Sequence, residues 1–162
     1  MNMDEKEFLM NWIVRYVKNK DLILKKIVDV TLDSGGVSVK NKSGQISRYV
    51  VLLSLASLES VVSSQPKDCE LCVITINSKD NMNFLVKKWD FAVSNSFLTV
   101  IFVNPFSDLD EKWVVKPSIH ARICEKKNLA RSFSSISETV NLIDDINFKD
   151  KVMNYTPHVK SS

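Results

Sequence analysis

Leu71-Cys72-Val73-Ile74-Thr75-Ile76 and, some twenty residues on, Phe97-Leu98-Thr99-Val100-Ile101-Phe102-Val103 are the two stretches that decide the fold. Each is a continuous apolar, β-branched run, the pattern of a strand buried on both faces rather than one that wets alternate side chains. Between them, Met82, Leu85, Val86, Trp89, Ala92 and Val93 recur at three- and four-residue spacing and predict a helix from about 79 to 94. Asn77-Ser78 supplies the turn and cap that open it, and Asn104-Pro105 ends the second run. Strand, helix, strand in this order predicts a right-handed βαβ unit with central, parallel strands.

Upstream, the period shortens to two. Asp33-Ser34-Gly35-Gly36 and Asn41-Lys42-Ser43-Gly44 tolerate the tight turns of hairpins, which predicts three strands near 27–32, 37–41 and 46–53 as an antiparallel meander. Before it, Phe8, Leu9, Trp12, Ile13, Tyr16 and Val17 follow a helical period behind Asp4, Glu5 and Glu7, acids suited to a helix N-terminus. That helix is expected to bend or stop near Asn19, with a second piece through Leu24. After the meander, Leu55, Leu58, Val61 and Val62 predict a short helix between Ser54 and the breaker at Gln65-Pro66.

Downstream of Pro105, residues 112–115 read as a sixth strand at a sheet edge, and Pro117 opens a helical turn through Ile123. Leu129, Phe133, Ile136, Val140 and Ile143 mark a last helix. The expected architecture is an α/β (or α+β) fold in the order α-β-β-β-α-β-α-β-β-α. One mixed sheet of about six strands is covered by helices, with residues 1–147 as a single domain and 148–162 as a flexible tail.

Composition narrows the function classes. Apolar residues make up 44% of 162 and charged residues 25%, ordinary for a chain that folds around a core. The acidic N-terminus has no pattern of a secretory signal, and the longest apolar run is well short of the roughly 20 residues that span a bilayer. Cys69, Cys72 and Cys124 are an odd set in a chain large enough to do without staples, so reduced thiols and a cytoplasmic setting are expected.

Catalytic patterns fit poorly. Cys69 and Cys72 have C-x-x-C spacing but enter a strand, where a redox pair needs a helix N-terminus; with His120 and Cys124 they form a zinc candidate whose strand positions would point oppositely. His120, near Ser118 and Cys124, is the candidate general base, whereas His158 falls in the expected tail. The glycines do not follow the βα strands, against phosphate-cradling loops. No cofactor or metal is expected.

The order helix, three-strand meander, helix, strand is similar to the core of restriction-endonuclease-like nucleases. The resemblance implies Mg²⁺ held by carboxylates on successive strands. Here the second and third strands carry none, and Asp29 and Asp33 belong to the first, so cleavage is not expected.

Two binding surfaces are predicted instead. Phe84 and Phe91, seven apart and bordered by Lys87 and Lys88, form a stripe roughly opposite the core arc of helix 79–94; it is either a contact surface or covered by a neighbouring helix. Between 112 and 131, six cations stand against Glu125 alone, a local excess of five in a chain of net charge +3. There Lys112, Lys116 and Arg122 could contact phosphates and Trp113 stack on a base, with His120 among them, unless Trp113 is packing. The leading expectation is a non-catalytic intracellular interaction module with a protein partner or a second copy of itself. The alternative is a nucleic-acid-binding domain of nuclease-like topology without metal-binding carboxylates.

Overall fold

The computed structural model describes residues 3–156. Its elements are α1 (Glu5–Lys20), β1 (Ile27–Asp33), β2 (Gly36–Asn41), β3 (Ile46–Val51), α2 (Leu58–Ser64), β4 (Glu70–Ile76), α3 (Lys79–Lys87), α4 (Trp89–Ser94), β5 (Leu98–Val103), β6 (Lys112–Val115), α5 (Pro117–His120), α6 (Leu129–Glu138) and α7 (Asp145–Met153). The strands form one sheet in sequence order, β1 to β6. β3, β4 and β5 run parallel, and every other neighbouring pair is antiparallel. The mixed α/β architecture follows the hydrophobic periods.

The sheet separates two apolar layers. Val37, Val39, Tyr49, Val51, Cys72, Ile74, Ile76, Ile101 and Val103 face α1 and α7; alternate residues Val50, Leu71, Val73, Leu98, Val100, Phe102, Trp113 and Val115 face α2, α3, α4 and α6. Because β4 and β5 are covered on both sides, every residue from Leu71 to Ile76 and from Leu98 to Val103 is buried. That is why these strands show no alternation.

Three expectations change. The helix from 79 to 94 is two, because Lys88 leaves helical geometry at φ −100°, ψ 20°. The last helix ends at Glu138, and Asn141 takes the left-handed conformation at φ 63°, a position asparagine tolerates better than most residues. Residues 148–153, placed in the tail, belong to α7: Asp144 caps it by accepting from Asn147 N–H, and Phe148 and Val152, one turn apart, are buried against α1. Of its four apolar residues only these two are buried, Ile146 and Met153 being exposed, so the stripe is too faint to stand out, yet both buried side chains are large enough to anchor the helix. Residues 154–156 follow the helix, the Tyr155 ring lying 5.0 Å from that of Phe8, and the rest of the expected tail, including His158, lies outside the described residues.

α1 runs from one end of the parallel strands to the other. Its first turn lies by the carboxyl end of β5, where Phe8 stacks on Phe106 at 5.3 Å. Its last turn reaches the opposite end, where the Asp21 carboxylate accepts from the Lys26 and Ile27 N–H groups at the start of β1.

Candidate functional site

The structure redistributes the residues that the sequence grouped. Phe84 and Phe91 are half-buried and packed against the apolar layer of α2, α3, α4 and α6. One stands on α3 and the other on α4, on either side of the non-helical Lys88. Lys87 is exposed, and Lys88 pairs with Glu59 of α2 at 3.1 Å. The expected aromatic contact surface is therefore the margin of a core.

The basic stretch divides across the sheet. Trp113 is buried, stacked on Phe102 with centroids 4.2 Å apart, and its Nε1–H donates to Asn77 Oδ1 at 2.7 Å. It offers no face to a base, which corrects the stacking role. Lys112 lies opposite Val103 and faces the α1 side, and Lys116 approaches Glu70 at 3.7 Å. Arg122 is exposed and follows α5, which packs on the other layer; further along, Lys126 pairs with Asp90 and Lys127 with Glu125. Nearness in sequence does not become one footprint, because the chain turns from β6 over the edge of the sheet.

His120 sits between the rings of Trp89 and Phe133, at 5.9 and 5.3 Å, with Nε2 enclosed and without a hydrogen-bond partner. That is an aromatic packing position with no nucleophile at hydrogen-bond distance from Nε2. Cys72 is buried, and burial pushes its thiol up to about 12, away from the reactive thiolate. No group of three or more potential metal ligands occurs among the described residues. On the meander, Asp33 is held by Arg48 through two contacts of 2.7 and 2.8 Å, and the Arg48 guanidinium keeps its carboxyl well below the usual carboxylate range.

Two concave regions stand out. One, of about 670 Å³ at the carboxyl ends of β4 and β5, is lined by Ser78, Asp80, Asn104, Asp108, Asn141, Asp144, Asp145 and Lys151 among others. Its acids repel each other: burial, then Asp80 and Asp144, push the Asp145 carboxyl up. The asparagines nearby are structural. Asn77 donates to the Ser137 and Asn141 carbonyls, both at 3.0 Å, and Asn104 donates to Asn141 at the same distance.

The other, of about 550 Å³, lies between α1 and the start of β6 and is lined by Trp12, Arg15, Tyr16, Asn19, Lys20, Glu111 and Lys112. Trp12 and Tyr16, one helical turn apart, stack at 5.2 Å with their planes within 9°. Trp12 Nε1–H donates to Glu111 at 2.9 Å across 99 residues of chain, which locks the indole. The ammonium groups of Lys112 and Lys20 lie 5.1 and 5.8 Å from the centre of the Tyr16 ring, within cation–π range.

Of the predicted residues only Lys112 takes part in this cleft. Trp12, Tyr16 and Lys20 are legible as one face of a helix, but nothing local indicates that β6 lies beside it. Among known proteins, no family model, no curated protein and no solved structure matches the chain. The class that the fold defines is a mixed α/β protein with helices on both faces of a six-stranded sheet. None of its helices among the described residues is long and apolar enough to cross a membrane.

Proposed function

We propose that the chain is a nucleic-acid-binding domain that holds its ligand in the α1–β6 cleft. The observation that supports this most is the convergence of Arg15, Lys20 and Lys112 on the stacked Trp12–Tyr16 pair. Cations on both walls raise the local potential for a polyanion, and an aromatic floor is sequence-tolerant, since every base has a π-face. The acid-lined cavity at the strand ends would repel the same ligand. Cleavage by the nuclease arrangement is not part of the proposal, because β2 and β3 carry no carboxylate and Asp33 is committed to Arg48.

Fluorescence anisotropy with a labelled oligonucleotide over a salt series tests it. Binding should weaken steeply with salt, and Arg15→Gln/Lys20→Gln should flatten the log–log slope by roughly 0.7 to 0.9 for each cation that no longer meets a phosphate. Lys126→Gln/Lys127→Gln, on the far layer, should leave the slope unchanged. Affinity indifferent to ionic strength would remove the proposal.

A second reading, the interaction module, retains one observation on a different surface. β1 is an edge strand whose Val28 and Leu32 are 63% and 53% exposed, and the preceding turn exposes Leu22, Ile23 and Leu24. An apolar edge of this kind favours strand addition by a second copy. Sedimentation at increasing concentration should then show association that Val28→Lys/Leu32→Lys abolishes; a monomer at all concentrations rules out self-association through β1.

A further inference from the structure

Resting on the nucleic-acid reading, we infer that the cleft takes a single strand and stacks one unpaired base on Tyr16, with Arg15, Lys20 and Lys112 contacting the flanking phosphates. One side of the Tyr16 ring is occupied by Trp12, whose indole is fixed by Glu111, so the platform is rigid before any ligand arrives. Tyr16 remains half-buried and lines the cleft, with lysine ammoniums within cation–π distance of its ring. These lysines are flexible chains that can swing from the ring to adjacent phosphates, so a base replaces a cation on the platform while the cation gains a stronger partner. Asn19 at the rim supplies an amide able to pair with a base edge.

The dimensions favour one nucleotide at a time. About 550 Å³ is small for a duplex, and a duplex keeps its bases stacked inward, so a base would reach Tyr16 only by flipping out. A single strand presents unstacked bases without that cost. Cations and aromatic floor are thus used together only by a single-stranded ligand.

The test compares a labelled single-stranded oligonucleotide, its duplex and an abasic oligomer of the same length, against the full chain and the variants Tyr16→Phe and Tyr16→Ser. Expected are preference for the single strand over the duplex, roughly tenfold weaker binding of the abasic oligomer, near-full affinity for Tyr16→Phe and a loss of about tenfold for Tyr16→Ser. Equal affinity for the abasic oligomer and the base-bearing strand on the unmodified protein overturns the stacking inference while leaving salt-sensitive nucleic-acid binding standing. Duplex binding as tight as single-strand binding does the same. Failure of every oligomer to bind overturns both. Because the abasic comparison needs no substitution, the inference stays falsifiable even if Tyr16→Ser disturbs α1.

Discussion

Gly36→Ala should be among the most damaging single-methyl additions in this protein, lowering stability by about 3 kcal/mol and the melting temperature by roughly 10 °C. A Cβ at this position would stand 2.1 Å from the Tyr49 carbonyl oxygen and 3.2 Å from its carbonyl carbon. Both obstacles are backbone, so relief requires moving β3 relative to the start of β2, where Val37 pairs with Tyr49. The neighbours calibrate the effect. At Gly35 a Cβ meets the ends of the Arg48 and Asp33 side chains at 3.0 and 3.4 Å, which can shift, and at Gly44 it meets open space but carries φ +84°. Alanine at Gly44 should therefore cost about 1 kcal/mol through backbone conformation alone, and alanine at Gly35 less than at Gly36. Thermal unfolding of the three variants checks the ranking. A Gly36→Ala protein as stable as Gly44→Ala would mean that the meander is not packed as described.

Removing the Asn77 amide should cost a comparable amount. This side chain is fully buried and joins three elements: it accepts from Trp113 Nε1 at 2.7 Å and donates to the carbonyls of Ser137 and Asn141. Its own backbone carbonyl accepts from Ile143 N–H, so the segment linking α6 to α7 is fastened to the end of β4 through one residue. Asn77→Leu keeps the approximate volume but leaves one donor and two acceptors without it as partner. Only the Trp113 N–H is stranded, since the Asn141 carbonyl keeps its bond from Asn104 and the Ser137 carbonyl its bond from Val140 N–H; one buried donor left unpaired, with two weakened acceptors, costs about 2 kcal/mol.

Asn77→Asp gives the sign of the effect with pH. A carboxylate can still accept from Trp113 but would set its other oxygen against two carbonyls in a buried site. The folded protein therefore prefers the protonated acid, and its pKa rises above the unfolded value. Stability of this variant should be greatest at acidic pH and fall as pH rises through the folded-state pKa. Chemical denaturation at several pH values measures it; an aspartate variant with the stability and pH dependence of the parent would show that the three bonds contribute nothing.

Asn77 also illustrates how much is legible in the chain. Its place as the turn closing β4 and preceding a helix follows from the apolar run before it and the helical period after it. Its role in bonding Trp113 cannot be read, because the partner lies four elements further on, in β6. Trp113 is ambiguous for the same reason: a tryptophan among lysines suits both an exposed stacking surface and a buried anchor, and only its stacking on Phe102 separates them. Phe84 and Phe91 leave two readings open because the covering of a second stripe by neighbouring helices is not a local property; here the layer of α2, α3, α4 and α6 half-buries both. α7 escapes notice because its two buried residues give a weak pattern, although the Asp144 cap is present in the sequence.

The sequence by itself determined the mixed sheet and the element types up to α6, since apolar periods of two and of three to four, with turn residues at their boundaries, are local properties that burial must satisfy; α7 and the division of α3 from α4 were not among them. It also determined that the βα turns lack glycine and that β2 and β3 lack carboxylates. Tertiary structure alone decided which cations share a surface. Lys112 and Arg122 part company because Lys112 faces the α1 side of the sheet while the following helices return to the other layer, and Arg15, Lys20 and Lys112 meet because the Glu111–Lys112 segment reaches the side chains of α1. Electrostatic and stacking interactions act over a few ångströms of space, so distance along the chain could not reveal them.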